Sequence, residues 1–153
     1  GRARLAVGWC LYEQKDAAGA LAQFRAAADT AGAEEQTLAE AHYMAGAAAQ
    51  ELGKDAEALR EYEKTASEHP SSEYAVDAAR RAGRLYARTG DSKNVLRVLE
   101  PLVQRTAGSP AQVGVLDELA WLSLSNGDKD RAEKLFAQIA DKHPDSPRRL
   151  RPW

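Results

Sequence analysis

The sequence predicts an all-α fold, an α-solenoid of four helix–turn–helix repeats, and three observations predict it. The 153 residues are rich in Ala, Leu, Glu, Arg and Lys, whereas the strand-favouring Val, Ile and Thr are sparse. Small residues recur at a fixed spacing through the whole chain. Gly followed by a polar turn punctuates the helical patterns at the same spacing.

The spacing is read from three series. Gly8, Gly46, Gly83 and Ala120 are separated by 38, 37 and 37 residues. Lys15, Gly53, Gly90 and Gly127 lie seven residues later and repeat the same intervals. The third series pairs a small or branched residue with a large apolar one four later: Ala20 and Phe24, Ala58 and Tyr62, Val95 and Leu99, Ala132 and Phe136. Each has a mechanical reason. A mid-helix Gly costs about 1 kcal/mol against Ala, which a chain accepts where two helices approach closely. A Gly at a helix end supplies the left-handed stop, and the recurring Asp16, Asp55, Asp91 and Asp128 read as caps or turn residues. Residues four apart share one helix face, so the third series packs the second helix of each pair on the first.

Eight helices follow, over roughly 2–14, 17–30, 35–52, 55–68, 72–89, 92–105, 110–126 and 129–142. Pro70, Pro110 and Pro144 fall at helix ends, where a missing N–H matters least. Pro101 falls inside the sixth helix and is expected to kink it.

A small residue and aromatic, then Gly, then Ala-x3-aromatic, then Pro resembles the tetratricopeptide repeat (TPR). Gly46, Gly53, Ala58, Tyr62 and Pro70 carry it in the second repeat, and Gly127, Ala132, Phe136 and Pro144 in the fourth. The first repeat departs with Lys15 and Gly32, and the third with Val95 and Leu99. The strings Glu68-His69-Pro70-Ser71-Ser72 and Lys142-His143-Pro144-Asp145-Ser146-Pro147 are similar to the inter-repeat joint of bacterial cell-envelope TPR proteins. The resemblance implies antiparallel helices in a right-handed superhelix, over a single domain at 1–147 with repeats near 1–34, 39–72, 76–109 and 113–146. A basic tail, 148–153, follows. The period exceeds the usual ~34 residues by about one helical turn, and we place that turn at the start of each first helix. Gly1 leads almost directly into helix-like sequence without an initiator Met, so the chain reads as a piece of a longer protein.

Catalysis finds little support. No HExxH, CxxC, GxGxxG, GxSxG or P-loop pattern is present. A single cysteine, Cys10, allows neither an intrachain disulfide nor a thiolate metal cluster, and its place between Trp9 and Leu11 predicts a small buried filler. His69 and His143 each precede a Pro at equivalent joints, where a helix C-terminus favours them. His42 has no carboxylate four residues on and no second His nearby in the sequence. The expectation is therefore no enzyme, no cofactor and no metal. A net charge of −2 argues against nucleic acid, and no apolar run is long enough to span a bilayer.

In the resembled family the first helix of each pair lines the concave wall. The positions expected to face outward there include Leu5, Trp9 and Tyr12, then Tyr43 and Ala47, then Arg80, Arg84 and Arg88, then Asp117 and Trp121. Arg80, Arg84 and Arg88 are four apart and form one stripe, flanked by Arg81. Guanidinium groups fork onto carboxylates and stack on aromatic rings. The partner-binding set is thus Arg80, Arg84, Arg88, Trp121, Tyr43, Trp9 and Tyr12, suited to a protein or peptide with acidic groups. Two competing readings stand beside it. Asp77 is placed to pair with Arg80 or Arg81, and the tryptophans can serve as packing between repeats. Leu135 and Ile139 are expected near an uncovered edge, through which the chain would self-associate or act as a spacer.

Overall fold

The computed structural model describes residues 1–145, so the basic tail at 148–153 lies outside the described residues. Those residues form eight α-helices and no strand: α1 (Arg2–Glu13), α2 (Ala17–Ala28), α3 (Glu35–Glu51), α4 (Asp55–Glu68), α5 (Ala75–Arg88), α6 (Ser92–Arg105), α7 (Ala111–Ser125) and α8 (Lys129–Lys142). The architecture is an all-α series of helical repeats. It divides into two compact units, one of residues 1–85 and a second beginning at Tyr86.

Within the first unit α1 packs on α2, α2 on α3 and α3 on α4. The close approaches occur where the small residues stand. A Cβ on Gly8 would lie 2.7 Å from the ring of Phe24, and one on Gly46 would lie 2.7 Å from that of Tyr62. Phe24 and Tyr62 are fully buried, as are Ala20, Ala58, Ala45 and Ala48 around them. The core here is built from Ala and single large rings, because Ala lets two backbones close onto one aromatic plate. In the second unit α7 packs on α8 and α6 on α7. Leu116, Ala120, Ala132, Phe136 and Ile139 form its core, with Leu135 partly buried against them. Ile139, expected near an uncovered edge, is therefore an interior residue.

The turns follow the Gly series. Gly53, Gly90 and Gly127 all take φ between +74° and +82°, the left-handed region that ends a helix. Asp16, Asp91 and Asp128 then accept from the backbone N–H three residues on, Gly19, Asn94 and Arg131. Asp55 does not: Lys54 occupies the cap and Asp55 opens α4, where its charge meets the helix N-terminus instead. α5 begins at Ala75 rather than near 72, because Pro70 is followed by a turn through Tyr74. Cys10 is exposed rather than buried, on a face of α1 that also carries the exposed Ala3, Ala6 and Val7. α6 continues through Pro101, which is itself exposed.

Candidate functional site

In the first unit the candidate residues belong to α1, α3 and α5. On α1, the edge of Trp9 meets Phe24 with ring centres 6.1 Å apart, and Tyr12 lies 6.2 Å from Trp9. The indole N–H of Trp9 donates to Glu40 Oε1 on α3 at 2.9 Å. Both aromatics are half-buried. They border a cleft of about 460 Å³ completed by Glu13, Lys15, Ala17 and Glu51. Leu5 and Ala47, expected to face outward, are core residues.

On α3 and α5 a compact knot forms. The Tyr43 hydroxyl donates to Asp77 Oδ2. Arg81 Nε donates to the same oxygen at 3.0 Å. The Arg81 guanidinium lies 5.2 Å from the centre of the Tyr43 ring and 6.0 Å from that of Tyr62, within cation–π range. Tyr62 in turn donates to Gln50 at 2.9 Å, and Tyr74 lies 5.1 Å from Tyr43. Burial holds the Tyr43 phenol well above its usual range, reinforced by the Asp77 carboxylate. Burial, with the negative charges of Glu40 and Glu73, pushes Tyr74 up to about 12. These phenols stay neutral donors at any ordinary pH. Of the arginines it is thus Arg81, the flanking one, that closes the ion pair with Asp77. Arg80 is half-buried, whereas Arg84 and Arg88 are exposed on α5.

In the second unit Trp121 on α7 is half-buried and meets the edge of Phe136 at 5.5 Å between ring centres. Asp117, expected to face outward, is buried. Arg88 and Trp121 both belong to this unit, whereas Arg80, Arg84, Tyr43, Trp9 and Tyr12 belong to the first.

The histidines sit at the joints, and their rings do more than meet a helix end. His143 donates through Nε2 to Gln112 Oε1 at 2.9 Å, and Gln112 donates to the Val103 carbonyl at 2.8 Å. His69, buried after α4, donates through Nδ1 to Glu35 Oε1 at 2.6 Å. Each joint histidine therefore ties the end of a second helix to the start of the first helix of its own pair. His42 is different. Its Nδ1 donates to Glu61 Oε2 at 2.8 Å, and its ring stacks on His69 with centres 5.6 Å apart and planes 26° apart. A second His is near in space after all, though 27 residues away in the chain.

Comparison with known proteins bears on the repeat. The tetratricopeptide repeat family matches residues 40–72 and 115–146, the two stretches with the complete Gly, Ala-x3-aromatic and Pro pattern. These two stretches of the chain are tetratricopeptide repeats. Among solved structures the TPR chain is similar to MamA, with a TM-score of 0.70 at 16% identity over 92% of this chain and 77% of that one. It is similar to a putative kinesin light chain with TPR-like repeats from Podospora anserina, with a TM-score of 0.68 at 21% identity over 97% and 80%. It is also similar to pilF of Pseudomonas aeruginosa, with a TM-score of 0.67 at 19% identity, over 97% of this chain and 64% of that one. None of the curated proteins matches the sequence. The TPR repeats and the fold support a protein–protein interaction scaffold, a class that is typically non-catalytic. Among the described residues no helix is long and apolar enough to cross a membrane.

Proposed function

We propose that this TPR protein is a non-catalytic scaffold that captures a protein or peptide partner bearing acidic groups, along the first helices of its repeats. One observation carries the reading. Arg84 and Arg88 stand exposed at helical spacing on α5, with Arg80 one turn before them, while Asp77 is engaged by Tyr43 and Arg81. The carboxylate on the same helix is thus held in the knot with Tyr43 and Arg81. Guanidinium groups at one-turn intervals suit an extended or helical segment carrying Asp, Glu or a free carboxylate. Trp9, Tyr12 and Tyr43 in the first unit supply the flat apolar surfaces that anchor such a segment. The joint strings at His69-Pro70 and His143-Pro144 support a bacterial envelope assembly role.

The test is Arg84→Glu. Arg84 is exposed, so helicity and the melting temperature should be unchanged. The affinity for a fluorescent Glu-rich peptide, followed by anisotropy, should fall at least tenfold, about 1.4 kcal/mol. Equal binding by the variant would remove the stripe from the proposal. A size that grows with concentration would favour a spacer that associates with itself.

A further inference from the structure

We propose that His42, Glu68 and His69 form a binding site for one divalent transition-metal ion of the zinc class, with Glu61 and Glu35 orienting the two imidazoles. One ligand atom from each of the three side chains lies within 4.8 Å of the others. The Nδ1 of each ring already donates to a carboxylate, His42 to Glu61 and His69 to Glu35. That makes Nε2 of each ring the unprotonated nitrogen, the one able to ligate an ion. A metal-bound imidazole is held in this way, its far N–H on a carboxylate that fixes the tautomer and raises its basicity. The second observation is independent of the cluster. His69 is 6% exposed, and its Nε2 is buried with no hydrogen-bond partner among the described residues. A buried polar atom left unpaired costs about 1–3 kcal/mol, and an ion at this place removes that penalty.

The other repeats supply an internal control. His143 occupies the register of His69 in the fourth repeat, and there its Nε2 is spent on Gln112. In the same register Leu116 replaces His42, Leu135 replaces Glu61 and Lys142 replaces Glu68. A joint histidine is thus stable without any of these groups. The second repeat alone has gathered two rings, a carboxylate ligand and two orienting carboxylates at one place. Two imidazoles and one carboxylate are the donors of a borderline ion such as Zn²⁺, Co²⁺ or Ni²⁺ rather than of Ca²⁺ or Mg²⁺. Ligand atoms around Zn²⁺ lie about 3.3 Å apart, and those of the three side chains here stand within 4.8 Å of one another, with Glu68 exposed. The ion would join α3 to the end of α4 and leave one coordination position for water or for a partner's side chain.

The experiment is calorimetric titration of the whole chain with ZnCl₂, paralleled by Co²⁺ absorption. One ion should bind per chain, with the visible bands of a tetrahedral or five-coordinate cobalt site. His42→Ala and Glu68→Gln should each abolish the bands. Glu35→Gln should keep the stoichiometry and weaken binding about 10–100-fold. His143→Ala and Cys10→Ala should bind as the parent does. His69 is buried, so His69→Ala risks the fold, and the exposed Glu68→Gln carries the test in its place. Absence of binding in the parent chain overturns the proposal, as does undiminished binding by both His42→Ala and Glu68→Gln.

Discussion

Lys15 takes a φ of +66°, the left-handed conformation that Gly53, Gly90 and Gly127 take at the same point of the later repeats. A side chain in that region costs roughly 1–2 kcal/mol through contact of Cβ with the following carbonyl. Gly avoids this and gives back part of the gain to the unfolded chain. Lys15→Gly should therefore raise stability by about 0.5–1 kcal/mol, seen as a higher urea midpoint with the same slope. The departure of the first repeat from the pattern was visible in the sequence, and its strain follows from the register. The role of Arg81 was not visible. Four arginines clustered on one helix look alike in a sequence. Which of them pairs with Asp77 depends on the rings of Tyr43 and Tyr62, brought there from α3 and α4.

At the scale of the helix pair, the small-residue series explains the close packing. The ring of Tyr62 lies where a Cβ on Gly46 would fall, and the ring of Phe24 does the same for Gly8. Gly46→Ala gains about 1 kcal/mol of helix propensity and loses about 1–3 kcal/mol by overpacking. The net should be a lower midpoint in chemical denaturation, with the largest change in tyrosine fluorescence at Tyr62. Helix positions were legible because Gly, Asp and Pro mark ends through backbone chemistry that no tertiary contact changes. The start of α5 was read early because Ser71, Ser72 and Glu73 are compatible with a first turn, and Pro70 decides otherwise only through the turn it sets. Leu5, Ala47 and Asp117 were assigned to the outward face by position along the helix. Facing on an Ala-rich helix is weakly encoded, because nearly every side of α3 is apolar.

For the molecule as a whole, repetition is the source of both what could be read and what could not. The fold follows from a period, and a period needs no knowledge of contacts. The candidate sites arise where one repeat departs from the others: the arginines of α5, and the two rings and carboxylates of the second repeat. His42 and His69 escaped notice as a pair because they lie on different helices, although setting the repeats in register shows Leu116 and Lys142 where His42 and Glu68 stand. One departure has a practical side. Cys10 is the chain's single cysteine, and it stands exposed on α1. A maleimide dye should attach to the folded protein at one per chain, read by mass, without loss of helicity; a thiol that reacts only in denaturant would contradict its exposure. Every molecule then carries one fluorophore at one known place. If donor-labelled and acceptor-labelled samples are mixed, energy transfer reports directly whether two copies ever meet.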